Sequence, residues 1–191
     1  MEHVRYRLYE QAWPEGEHRH FQLGYVVDDV EGAAADWART FGIGPFHVLP
    51  PSKTPCTYHG EPSTLEARIA VAQSGPVQIE LIQPLGEVPN VYRDLAEKGA
   101  CRFHQLSTLT HDYAGTIAHY RGLGYEVASE LEARGQHVAY VDTIDDFGFF
   151  TEVVELVPGF LESVAAIART CEAWDGTDPV RVLTRDGYRT P

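Results

Sequence analysis

The stretch "RFHQLSTLTHDY", Arg102 to Tyr113, repeats the pattern of an earlier one, "RHFQLGYVVDDV", Arg19 to Val30. Each places a histidine and a glutamine at the head of a β-prone run that closes on an aspartate. With Gln22 set against Gln105, Gly24 falls on Ser107, Asp29 on Asp112 and Trp37 on Tyr120. "HFQLGYVV" has the β-branched and aromatic content of a strand. Asp28 and Asp29 are N-cap candidates for "VEGAAADWARTFG", where Val30, Ala33, Ala34, Trp37, Ala38 and Phe41 recur at helical spacing before a glycine stop. "HQLSTLT", Asp112 and "YAGTIAHYRGLG" write the strand, the cap and the helix again.

Outward from these units, the Pro-rich "LPPSKTPCTYHGEP" reads as a loop, followed by strand candidates "TLEARIAVA" and "PVQIELIQPL". In the second half "GYEVASELEARG" leads into "HVAYVDT", and "GFFTEVVELVPG" closes the unit. "IELIQPL" matches "TEVVELVP", which sets Glu80 opposite Glu152. Each unit alone is too small to bury its apolar face. The repeat therefore predicts an α+β fold of paired β-α-β-β-β modules that form a curled mixed sheet around a shared cleft. The expected divisions are a first module over 19–88, a linker over 89–99, a second module over 100–158 and a C-terminal helix and tail over 159–191.

Composition limits the partners. With 28 acidic against 15 basic residues, a net charge of −13 and no basic stripe, nucleic acid is excluded as an expected ligand. No apolar run reaches the length of a membrane span and the N-terminus has no signal-peptide h-region, so no membrane partner and a cytoplasmic location are expected. Cys56, Cys101 and Cys171 are too far apart for a CxxC redox or zinc motif, and none is given a catalytic role.

The segments "LGYVVDDVEGAAADWARTFGIGPF", "VQIELIQPL", "HQLSTLTHDY" and "GFFTEVVEL", in that order, resemble the vicinal oxygen chelate superfamily. That superfamily includes glyoxalase I, methylmalonyl-CoA epimerase, extradiol dioxygenases and the bleomycin-resistance proteins. The likeness is strongest to its epimerase-like branch. In its enzymes four side chains from the first and last strands of the modules line the cleft and hold a divalent metal. The resemblance implies that the matching positions here are Gln22, Glu80, Gln105 and Glu152, together with a small-molecule substrate and a homodimer. Amide stands twice where the family usually offers imidazole.

Two carboxylates and two amides form an all-oxygen set that suits magnesium or manganese better than zinc, so the expected cofactor is none or a weakly bound divalent metal. Without metal, two glutamates brought close raise the proton affinity of one, which supplies a general base and a general acid for proton abstraction next to a carbonyl. Glu80 and Glu152 are thus the candidate catalytic residues of an isomerase, epimerase or lyase. Gln22 and Gln105 are candidates to bind the substrate carbonyl. His20 shares a face with Gln22 if the strand alternates regularly; His104 faces the other way unless a bulge intervenes. Tyr140, in "HVAYVDT", is a further candidate for substrate contact. The alternative is a non-catalytic small-molecule binding or resistance protein. A metal-dependent glyoxalase or dioxygenase is disfavoured by the missing imidazoles.

Overall fold

A computed structural model describes residues 19–95, 101–133, 135–184 and 186–189. The elements follow the order β1 (Arg19–Val26), α1 (Val30–Phe41), β2 (Phe46–Val48), β3 (Ser52–Tyr58), β4 (Glu61–Ser74), β5 (Val77–Pro84) and α2 (Val91–Asp94). They continue with β6 (Arg102–Thr110), α3 (Tyr113–Gly122), β7 (Val127–Ala133), β8 (Gln136–Val141), α4 (Ile144–Phe147), β9 (Phe150–Glu155), α5 (Phe160–Glu172), β10 (Val180–Thr184) and β11 (Gly187–Arg189).

The strands form one sheet, ordered β11-β10-β2-β4-β3-β7-β8-β9-β6-β1-β5, and the β4–β5 pairing closes it on itself. Eight strands make the ring; β2, β10 and β11 branch from β4. The ring is mixed and internally symmetric. The β1–β5 and β6–β9 pairs are parallel, and the halves meet at two antiparallel seams, β1–β6 and β3–β7. Each half contributes a β-α-β-β-β path, so the paired modules of a curled mixed sheet are present within one chain.

Strand alternation sorts the two faces of this ring. On β5, Ile79 and Leu81 face outward and pack with Val30 and Ala34 of α1. On β8 and β9, Ala139, Val141 and Val153 face outward and pack with Ile117 of α3. Complete burial of Val30 alone contributes about 1.5–3 kcal/mol. The inward set, among them Val26, Ile82, Tyr140 and Phe150, forms a separate core that also receives Val91 and Tyr92 from α2. Aspartates start both long helices of the ring: Asp29 accepts from the Glu31 amide at 3.2 Å, and Asp112 from the Gly115 amide at 2.9 Å. Gly42, with φ of 66°, ends α1 in the left-handed conformation that a glycine adopts without strain.

Two sequence expectations change here. The middle of the Pro-rich segment, Ser52–Tyr58, is strand β3 rather than loop. Its Pro55 pairs only with Thr64 of β4, because pairing with β7 begins at Cys56, so the missing N–H costs no ladder bond on the second side. The extended tail is also paired, Val180–Val182 running parallel to Phe46–Val48 of β2.

Candidate active site

The ring's symmetry sets the site. Across the central seam Gln22 lies opposite Ser107 and Gly24 opposite Gln105, so exchanging the two halves maps each pair onto the other. Toward the outer strands Gly24 pairs with Glu80 and Ser107 with Glu152. These six positions share the inward face.

At the centre the amide of Gln105, fully buried, spans both carboxyl groups. Its Nε2 donates to Glu80 Oε2 at 3.0 Å and to Glu152 Oε2 at 3.2 Å. Glu152 also accepts from Tyr140 OH at 2.9 Å and from the Ser107 hydroxyl. Gln22 stands one residue away: its Oε1 faces Ser107 Oγ at 3.2 Å, and its Nε2 donates to Gln78 Oε1 at 2.8 Å. Gln78 is itself buried, and its Nε2 has no partner among the described residues.

The symmetric scaffold carries asymmetric side chains. Glu152 pairs across the ladder with Tyr140, whereas Glu80 pairs with Val71, which has no hydrogen to give. Ser107 offers Glu152 a hydroxyl where its counterpart Gly24 offers nothing. The protonation preferences follow. Burial first, and then the negative charge of Glu152, push the Glu80 carboxyl well above its ordinary value. Burial also raises Glu152, but donors Ser107, Tyr140 and Gln105 oppose the rise. A proton shared by the pair therefore resides on Glu80, and the charge on Glu152. Glu80 as a whole residue is only partly buried, but its carboxyl group is as enclosed as that of Glu152.

Tyr140 is 2% exposed, with its hydroxyl 2.7 Å from that of Tyr92. Burial, then the Glu152 charge, hold the Tyr140 phenol well above its ordinary range, so it remains a donor. His104 is fully buried beside Gln105. The ladder passes from Gly24–Gln105 to Tyr25–Phe103, leaving His104 as the extra residue of a bulge, and its Nδ1 meets Gln105 Oε1. A second bulge, at Phe21, breaks the alternation of β1. His20 consequently pairs with Thr108 while Gln22 pairs with Ser107, and His20 is exposed rather than in this cluster. Regular alternation is what placed His20 beside Gln22, and the bulge removes that premise. Arg68 pairs with Glu31.

Among the described residues no three His, Cys, Asp or Glu side chains converge in a way that could hold a metal ion. The proposed oxygen set does not fit one either. Ser107 Oγ is wedged between Gln22 Oε1 and Glu152 Oε2, so these two donors face a hydroxyl rather than a common centre. The glutamates are satisfied by neutral amide, hydroxyl and phenol groups.

Sequence reasoning passed over Tyr92 and Gln78, and saw Ser107 only as the counterpart of Gly24. Ser107 was findable, being two residues from Gln105 on one strand face. Tyr92 enters from the connection between the modules, where no periodicity points inward.

The family model for the Glyoxalase/Bleomycin resistance protein/Dioxygenase superfamily matches residues 21–140. The chain belongs to that superfamily. No curated protein matches the sequence. Among solved structures, a methylmalonyl-CoA epimerase in complex with methylmalonyl-CoA and NH4+ is 18% identical, with a TM-score of 0.54 over 74% of this chain and 96% of its own. The methylmalonyl-CoA epimerase of Mycobacterium tuberculosis is 19% identical, with a TM-score of 0.53 over 77% of this chain and 91% of its own. A hypothetical protein, BH1468 from Bacillus halodurans C-125, is 17% identical, with a TM-score of 0.54 over 74% of this chain and 96% of its own. At these identities the likeness is one of fold. No helix among the described residues is long and apolar enough to cross a membrane.

Proposed function

We propose that this member of the superfamily is an isomerase, epimerase or lyase that abstracts a proton next to the carbonyl of a small organic substrate. One observation carries the reading: Glu80 and Glu152, neither of which has a cationic partner among the described residues, meet on the single amide of Gln105. Two carboxyls so placed hold one proton between them, which makes a base of one and an acid of the other. Glu152, with three donors opposing the rise that burial causes, is the carboxyl that carries the charge when the pair holds one proton. Glu80, whose raised proton affinity comes from burial and from Glu152, presents the proton. In an epimerisation Glu152 takes the α-proton from one face and Glu80 returns its own to the other. In a lyase, Glu80 protonates the leaving group. The unpartnered Gln78 Nε2 is a donor available to a substrate oxygen.

The epimerase neighbours support the same chemical class, since epimerisation of a substituted malonyl thioester inverts a carbon next to carbonyl groups. Incubating single enantiomers of such thioesters in deuterated water tests the proposal. Loss of optical activity at the rate of deuterium incorporation is the expected result. Ligand bound and recovered with its stereochemistry and protium intact would instead favour the binding-protein alternative.

A further inference from the structure

Tyr92 enters the inner core from the connection between the two halves, and its hydroxyl has one place to go. Asn90, itself buried, caps α2: its Oδ1 accepts from the Tyr92 amide at 3.1 Å, and its Nδ2 donates to the Val88 carbonyl at 3.0 Å. This seats the Tyr92 ring edge-to-face against that of Tyr140, with the ring centroids 5.7 Å apart. Both phenols are buried and their oxygens stand 2.7 Å apart. Among the described residues Tyr140 is the only hydrogen-bond partner of the Tyr92 hydroxyl. The Tyr140 hydroxyl has two, Tyr92 and, at 2.9 Å, Glu152 Oε1. Three oxygens in a row thus share two hydroxyl hydrogens, one from each tyrosine. Only the order Tyr92 to Tyr140 to Glu152 puts both hydrogens in bonds. Reversing the first link turns the Tyr140 hydrogen away from Glu152 and leaves the Tyr92 hydrogen buried with no acceptor among the described residues.

We propose that Tyr92 is a positioning residue for Glu152, acting through Tyr140. By donating to the Tyr140 oxygen it fixes the rotation of that hydroxyl, so that its one hydrogen points at Glu152 Oε1. The donors around Glu152 are unevenly shared: Gln105 and Ser107 both reach Oε2, whereas Tyr140 alone reaches Oε1. A carboxylate oxygen accepts along two lone-pair directions. Oε2 has both occupied and Oε1 has one left, which makes Oε1 the atom that receives the α-proton. The tyrosine pair sets the direction of that remaining lone pair, and a misdirected base loses rate without losing substrate affinity. Tyr92 belongs to α2 and to none of the ring's strands, so the connection between the halves shapes the site at a distance of two hydroxyls. The role of Tyr92 rests on the proposed function; the order of the two hydrogens does not.

Tyr92→Phe keeps the ring and removes the hydroxyl. With an acyl thioester into which wild type exchanges solvent deuterium, this variant should lower kcat roughly tenfold and leave KM unchanged. In a Tyr140→Phe background the same substitution should change neither constant, because the link it acts through is gone. Rates are compared at equal folded concentration, taken from denaturant unfolding. A kcat that Tyr92→Phe leaves at the wild-type value, or a loss of equal size in both backgrounds, would overturn the role. Proton NMR of the two buried hydroxyls reads the order of the hydrogens separately. The Tyr92 hydroxyl proton is expected to lie closer to the ring hydrogens flanking the Tyr140 oxygen than the Tyr140 hydroxyl proton lies to those of Tyr92. The opposite pattern would overturn the proposal whatever the rates. Absence of exchange into any thioester by wild type would sink the proposed function and the role with it, while leaving the hydroxyl contacts in place.

Discussion

Gln105 occupies the space that a side chain on Gly24 would fill: a Cβ at residue 24 would come within 2.7 Å of Gln105 Cγ and Cδ. The two residues face each other across the β1–β6 seam, and Gly24 is the counterpart of Ser107 in the other half. The missing side chain lets Gln105 lean across the seam and reach both glutamates, while Gln22 meets Ser107 and does not. Glycine is needed here for close approach and not for a special backbone angle.

Gly24→Ala should therefore displace the Gln105 amide from the carboxyl pair. The overpacking costs about 1–3 kcal/mol of stability, measurable by denaturant unfolding. Activity should fall by more than the lost stability explains, because the folded fraction still carries a displaced amide. A Gly24→Ala protein with wild-type turnover would mean that the position of Gln105 is not critical.

Tyr140 and Ser107 hold the proton affinity of Glu152 down against burial. Removing either donor leaves the anion less stabilised, by about 1.5–3 kcal/mol for a hydrogen bond to a charged group. Tyr140→Phe and Ser107→Ala should both move the acidic limb of the rate profile to higher pH, since Glu152 then protonates more readily. Val71, the counterpart of Tyr140 beside Glu80, is the internal control: Val71→Ala should leave the position of that limb where it is.

The repeat, the helix caps and the four glutamine and glutamate positions were legible because alternation and internal symmetry reinforce each other. Gln22 and Gln105, or Glu80 and Glu152, could be paired by counting alone. Counting fails where the ladder slips. The bulges at Phe21 and His104 reverse the facing of one histidine each, sending His20 out and His104 in, and neither is marked by a glycine. Strand β3 was hidden by Pro50 and Pro51, which precede it, and by Pro55, which it accommodates through pairing with β4. Tyr92 reaches the inner core through tertiary placement of a four-residue helix.

The raised proton affinity of Glu80 also sets a stability profile. An unfolded glutamate titrates at about 4.3. Above that value the unfolded chain loses its proton while folded Glu80 keeps one, so the folded state binds more protons and stability falls as pH rises, until folded Glu80 itself ionises. Glu80→Gln removes this loss. The variant's advantage over wild type in thermal unfolding should be small in acid, grow with pH and then level off. An advantage independent of pH would place the Glu80 proton affinity in the ordinary range.

The wedge of Ser107 between Gln22 and Glu152 predicts that chelator dialysis leaves activity unchanged, with metal content measured on the same sample. Stoichiometric metal retained through dialysis and required for turnover would return the protein to the metal-dependent pattern of its superfamily. Ser107→Gly, which removes the wedge, should increase the affinity for manganese or magnesium.

The central claim is that Glu80 and Glu152 move a proton at a carbon next to a carbonyl. Solvent deuterium exchange into acyl thioesters, followed by proton NMR for wild type, Glu80→Gln and Glu152→Gln at equal folded concentration, tests it most directly. The account predicts exchange by wild type and a loss of roughly 100-fold or more in each variant, the scale expected for removing a general acid or base. Exchange at wild-type rates in both variants would contradict it.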